Sequence, residues 1–215
     1  MCGYRIHVTT SICVAVVWTL LSSSMLVAVA VEPTKQTEPC PPAANFLTGQ
    51  TNQTAKIGVV EKLNDIEEIK QVKARYFRGV DFKSRDLLRN IFTDDVQIDY
   101  RQSRGPNGSS SGPVVADQAT GVLLVGGDKA ADVISKSLIG VVSVHHASTP
   151  EIEITSPTTA RAIWPMVDRL HFGPDFPEAE KIGYGHYYET YEKVKGQWRI
   201  KTMCLTRLRV DDITR

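Results

Sequence analysis

From residue 141 to the C-terminus the chain offers strand patterns and little else, and that stretch limits what it can fold into. VVSVHHAS, EIEIT, TARAIWPMVDRLHF, YGHYYETYEKV and WRIKTMCLTRLRV follow one another. All are rich in β-branched or aromatic residues, and most alternate apolar with polar. A loop around GPDFPEAEK separates the third from the fourth, and Lys195-Gly196-Gln197 turns the fourth into the fifth. Long strands joined this way make an antiparallel meander, and its apolar face must be covered.

The cover has to come from the N-terminal half. Leu63, Ile66, Ile69, Val72 or Lys73, Phe77 and Val80 recur at spacings of three and four, which predicts a helix over 60–80 with one buried face. Asp65 to Glu68 has the form of a capping box inside it. Ser84-Arg85-Asp86 opens a second, short helix through Leu87, Leu88 and Ile91, ending at Thr93-Asp94-Asp95; VQIDY then alternates as a strand does. Arg101 to about Gly127 reads as a loop, with disorder expected from Ser103 to Gly112. DKAADVISKSLIG predicts a third helix, with Ala131, Val133, Ile134 and Leu138 available to pack. The expected fold is α+β: a curved antiparallel sheet forming a cone closed by three N-terminal helices, an α+β barrel whose interior is a candidate pocket.

A chain of 215 residues, 42% hydrophobic and 23% charged, fits one globular domain. With a net charge of +1 and no basic run, it gives no electrostatic case for binding nucleic acid or an anionic membrane surface. Ile6 to Val31 carries no Asp, Glu, Lys or Arg and closes on the small-x-small site Ala28-Val29-Ala30, so residues 1–30 read as a secretory signal peptide. The rival reading is an uncleaved anchor, the one route by which this chain would meet a membrane. Residues 31–58, rich in Pro, Thr, Gln and Asn, read as a flexible linker, and 59–215 as the domain. The sequons at Asn52 and Asn107 agree with the secretory pathway. Of four cysteines, Cys2 and Cys13 leave with the signal. Cys40 and Cys204 are able to pair in an oxidising compartment, but Cys204 reads rather as an apolar filler in a strand. No metal-ligand spacing, P-loop or GxGxxG is present, and no cofactor or metal is called for.

Several polar residues are aimed inward. KARYFRGVD ends the first helix with Tyr76 and Asp81; a carboxylate at an apolar helix end either leaves for solvent or needs a partner. Period two in VVSVHHAS sends one of His145 and His146 to the interior without saying which. Alternation puts Asp168 on the face of Trp164 and Met166. It puts Arg207 with Met203 and Leu205, opposite a set of Ile200, Thr202 and Cys204. Trp164, Met166 and Phe92 suit the wall of a pocket for a small, largely apolar molecule, though such residues are more often plain core.

The ordered motifs DIEEIKQVKARYFRGVD, SVHHASTPEIEI, WPMVD, YYETYEKVKGQWRI and LTRLRVD resemble the SnoaL-like branch of the nuclear-transport-factor-2-like superfamily. Within it they are most similar to the bile-acid 7α-dehydratase and scytalone-dehydratase type, from about Leu63 to Asp211. By position the resemblance implies Tyr76, Asp81 and His145 as a catalytic set, with Asp168 and Arg207 in support, and prefers His145 over His146, which is kept as a substrate contact. It implies a cofactor-independent, dehydratase-like lyase. Asp81 would orient His145 as a base towards an acidified C–H, Tyr76 would act as the acid, and Arg207 would offset negative charge. An isomerase or cyclase with the same groups, or a non-catalytic binding cone, would share this frame. A small-molecule substrate and a homo-oligomer packed through the outer sheet face are the partners the resemblance implies. Tyr76 and Asp81 lie about 140° apart on a regular helix, so they converge only if Asp81 sits where the helix ends.

Overall fold

The computed structural model describes residues 46–47, 57–103 and 122–215, all within one compact unit, 38–215. The signal segment, both sequons, Cys40 and most of the linker lie outside the described residues.

The first helix, α1 (Val59–Asp81), buries Ile69, Val72, Lys73, Tyr76, Phe77 and Val80, the spacing of three and four that predicted it. It starts at Gly58, which provides no side-chain cap, so the box at Asp65 is not its beginning. Instead Asp65 is buried within the helix, where it accepts hydrogen bonds from Lys193 Nζ at 2.5 Å and Trp198 Nε1 at 2.9 Å. Leu63, expected on the apolar face, is exposed. Helix α2 (Arg85–Ile91) is capped by Ser84 Oγ, which accepts from the Leu87 N–H. The helix stops before the expected end at Thr93 to Asp95: α2 ends at Ile91 and strand β1 (Phe92–Asp99) begins at once, because Phe92, Val96 and Ile98 all reach the core. Beyond the undescribed segment come β2 (Leu123–Val125), which no sequence pattern announced, and α3 (Gly127–Ser137).

The remaining strands are β3 (Val142–Ala147), β4 (Glu151–Ser156), β5 (Thr159–His171), β6 (Glu178–Val194) and β7 (Gln197–Thr214). Among the described residues they form a curved, unclosed seven-stranded sheet in the order β2-β1-β7-β6-β5-β3, with β4 also pairing β5. The sheet is mixed rather than purely antiparallel, since β1 runs parallel to β7, with Ile98 beside Met203. A hairpin meander has no means of placing β1; burying Phe92 and Ile98 under the helices brings it back to the far side of β7.

Two bulges set which side chains of β7 look inward. Tyr191 pairs Ile200 while Thr190 pairs Thr202, so Lys201 is an extra residue. Parity flips there, and Ile200 joins Met203 and Leu205 in the core rather than Thr202 and Cys204 as strict alternation predicted. The three helices pack on this inner face over one large core. On the opposite face a small cluster of Ile163, Tyr188 and Cys204 is covered by Phe46 and Leu47, and Arg161 donates to the Leu47 carbonyl at 3.1 Å. Cys204 is not a filler but is disulfide-bonded, to a cysteine outside the described residues.

Candidate active site

Asp81 is the last residue of α1, and the end of the helix frees its carboxylate from the Tyr76 face. On β3, Val142 and Val144 are exposed while Ser143 is buried, so His145 is the inward histidine and His146 is exposed on the other face. Asp81 Oδ1 meets His145 Nδ1 at 2.6 Å, and Asp81 Oδ2 accepts the His145 backbone N–H at 3.1 Å. Ser143 Oγ also donates to Oδ1, at 3.1 Å. Burial works to raise the Asp81 carboxyl, but the hydrogen bonds and charge of His145, with Ser143, hold it below its ordinary value. An ionised acceptor on Nδ1 fixes the Nδ1–H tautomer and leaves Nε2 with its lone pair.

The sheet register lays the next residues in a row. His145 pairs Asp168 on β5, and Asp168 pairs Gly183 on β6. Nε2 of His145 stands 4.0 Å from Asp168 Oδ2, beyond hydrogen-bond range. That oxygen is held by Arg207 Nη2 at 2.5 Å. Arg207 is fixed further by Nε to the Ser103 carbonyl at 3.3 Å and by Nη1 against Met166 Sδ at 3.2 Å. The pair lies where a side chain on Gly183 would be: a Cβ there would meet Arg207 Cζ and Asp168 Oδ1 at 2.6 Å. Gly185 is equally constrained, because its Cβ would collide with the Thr206 carbonyl at the second bulge of β7. Asp168 Oδ1 is buried with no hydrogen-bond partner among the described residues.

Tyr76 belongs to a neighbouring cluster. Its hydroxyl hydrogen-bonds Tyr100 Oη at 2.7 Å, and its ring stands edge-on to Tyr187. Burial pushes Tyr76, Tyr100 and Tyr187 well above the ordinary phenol range, which keeps them protonated donors. Phe77 joins this cluster to the dyad, with its ring 14° from parallel to His145. Of the other residues singled out in the sequence, Met166 touches Arg207. Trp164 donates to Tyr191 Oη at 3.0 Å, and Phe92 is fully buried behind Tyr76. Asp81, His145, Asp168 and Arg207 thus come together, Tyr76 stands one ring away, and His146 is not part of the group.

Sequence reading missed Ser143, Tyr100, Tyr187, Gly183 and a buried ion pair. Lys73 Nζ lies 2.5 Å from Glu189 Oε1, with both side chains at 1% exposure or less. The ammonium also faces the rings of Tyr187, Tyr76 and Phe77 at 3.4, 4.5 and 4.8 Å. Glu189 accepts a further bond from Tyr191 Oη. Burial lowers Lys73 to about 8 despite the Glu189 charge. The signal was present: Lys73 falls in the helical period, and Glu189 alternates with Tyr187 and Tyr191 along β6. Among the described residues no three or more His, Cys, Asp or Glu side chains gather as metal ligands would, and no helix is long and apolar enough to cross a membrane.

Three helices seated in a curved mixed sheet agree with a SnoaL-like domain, and the chain belongs to that family, whose pattern matches residues 61–204. Among solved structures it is similar to a candidate scytalone dehydratase from Novosphingobium aromaticivorans, at 21% identity over 74% of this chain and 93% of the other, with a TM-score of 0.58. A hexachlorocyclohexane dehydrochlorinase from Novosphingobium barchaimii matches at 13% identity, 73% and 94% coverage and a TM-score of 0.58. A protein from Kribbella flavida matches at 17% identity, 70% and 95% coverage and a TM-score of 0.57. At these identities the likeness is one of fold.

Proposed function

We propose that this domain is a cofactor-independent lyase that eliminates water from a small, largely apolar hydroxy-carbonyl compound. The supporting observation is the 2.6 Å contact of Asp81 with His145 Nδ1, which leaves Nε2 facing the interior with no hydrogen-bond partner among the described residues. Nε2 takes the proton from the carbon next to, or vinylogous with, the carbonyl. The electron pair moves onto the carbonyl oxygen, where Tyr76, backed by Tyr100 and Tyr187, donates a hydrogen bond. As the double bond forms, the hydroxyl departs and takes the proton back from His145 Nε2, leaving as water and restoring the neutral imidazole, with an enone as the other product. Arg207, neutralised by Asp168, adds a positive edge to the same water-poor pocket; a donor of this kind is worth about 3 kcal/mol in comparable sites. Two of the neighbours are named for eliminations, a dehydratase candidate and a dehydrochlorinase, which agrees with this chemistry.

The test is turnover of bicyclic β-hydroxy ketones, followed by enone absorbance, in the purified domain. Asp81→Asn and His145→Ala each lower the rate by about 10²–10⁴, the range of a positioned general base. Variants that stay within a few fold of the parent would remove the dyad from the mechanism. Appearance of a rearranged ketone instead of an enone would assign the same groups to an isomerase, and saturable binding without turnover to a ligand-binding cone.

We also propose that the protein matures in the secretory pathway, which the disulfide at Cys204 supports, since such bonds persist in oxidising compartments. Exposed Val142, Val144, Tyr184 and Leu208 support self-association through the outer face of the sheet.

A further inference from the structure

The turn after α1 holds a residue that its backbone does not favour. The Ser84 N–H donates to the Gly79 carbonyl at 2.8 Å and the Lys83 N–H to the Val80 carbonyl at 3.1 Å. These are the paired bonds of a Schellman helix end, whose left-handed position is usually glycine. Here it is Lys83, at φ 55°. A side chain there crowds its own backbone, and such an outlier persists where something else over-determines it. The Lys83 side chain does so: it folds back under the helix end, and Nζ donates to the Asp81 carbonyl at 2.8 Å and to Ser143 Oγ at 3.1 Å. Ser143 in turn gives its own proton to Asp81 Oδ1 at 3.1 Å.

We infer that Lys83 and Ser143 are positioning residues of the Asp81–His145 dyad, an ammonium and a hydroxyl in series that keep the Asp81 carboxylate charged and aimed at His145 Nδ1. The inference rests on the reading of that dyad as the base. A cation at the end of a helix also suits the helix dipole, but any lysine in the last turn achieves that without a left-handed backbone. It would not need to find Ser143, which sits on a different element 60 residues away. The charged and titratable groups that face Asp81 are His145 from β3, Lys83 from the turn and, behind His145, Asp168 of β5 with Arg207 of β7. Lys83 is thus the cation nearest Asp81 that no carboxylate side chain claims among the described contacts.

The experiment is an NMR titration of the Asp81 carboxyl carbon, which needs no substrate, in the parent protein, Lys83→Gly, Lys83→Arg and Ser143→Ala. Lys83→Gly removes the charge and also the backbone strain. Its carboxyl midpoint rises by roughly half a pH unit or more, the size a partly screened unit charge produces at hydrogen-bonding range, while its melting temperature stays level or rises. Ser143→Ala raises the midpoint as well, and Lys83→Arg leaves it near the parent value. An unmoved midpoint in Lys83→Gly overturns the inference, and so does a lower melting temperature or failure to fold, since either gives Lys83 a purely structural task. The elimination reading fails separately, by turnover surviving in Asp81→Asn and His145→Ala.

Discussion

Lys73 and Glu189 show how a single buried pair trades stability for order. Taking both charges out of water costs several kcal/mol, and their mutual attraction offsets that cost only while both are present. Lys73→Met alone strands the Glu189 carboxylate and is expected to lower stability by about 3–5 kcal/mol in urea melts. The double variant Lys73→Met, Glu189→Leu is expected to return close to the parent, because apolar residues of similar volume replace such pairs at little cost. What the double variant loses is the ammonium that faces Tyr76, Phe77 and Tyr187 together. Under the roles proposed for Tyr76 and His145, its turnover is expected to fall although its fold holds. Residues of this kind were the least legible in the sequence. Asp81, His145, Asp168 and Arg207 stood out because each breaks an apolar pattern or fits a known motif. Lys73 shared its place in the helical period with Val72, and nothing in YYETYEKV set Glu189 apart from a solvated strand carboxylate.

At the scale of elements, period and alternation found most of the helices and strands, and register decided the rest. The inward side of β5 followed from counting by two, and the structure keeps Trp164, Met166 and Asp168 on one face; on β3 counting left His145 and His146 open, and the burial of Ser143 decides for His145. Counting failed in β7, where two bulges each insert a residue that no local composition marks. It failed again at β1, whose parallel partner lies at the other end of the chain. Strand β6 illustrates what register makes possible: Gly183 faces Asp168 across the pair, and its missing side chain is the space that the Arg207 guanidinium fills. Gly183→Ala is expected to fold, because the crowded atoms are the ends of side chains that can turn aside. Turning aside separates Arg207 from Asp168, and kcat drops by about tenfold or more with a modest loss in melting temperature, as displaced positioning groups commonly do. A kcat unchanged in Gly183→Ala would mean that Arg207 has no part in the reaction.

For the molecule as a whole, the outer face carries the main departure from the expected cone. Phe46 and Leu47, in a stretch read as linker, lie against Ile163 and Tyr188, beside the disulfide-bonded Cys204. Cys204→Ser, or reduction of the parent, is expected to lower the melting temperature by the equivalent of about 2–5 kcal/mol, as loss of a native disulfide does. Equal melting curves with and without reductant would show that the bond contributes nothing to stability. The sequence left a pairing of Cys204 open but favoured an apolar filler, because a cysteine in a strand is usually inert.

The parallel pairing of β1 with β7 also bears on how the chain reaches this state. The strand that follows the first two helices has its neighbour far later in the chain, and the pair that centres the core, Lys73 with Glu189, spans 116 positions. Contacts of that separation close large loops before any of them is rewarded, so folding is slow and late. The helices emerge from the ribosome before these strands, with an apolar flank and nothing to lay it on. Until β7 is released, the Asp81–His145 pair has a scaffold that is still open on one side.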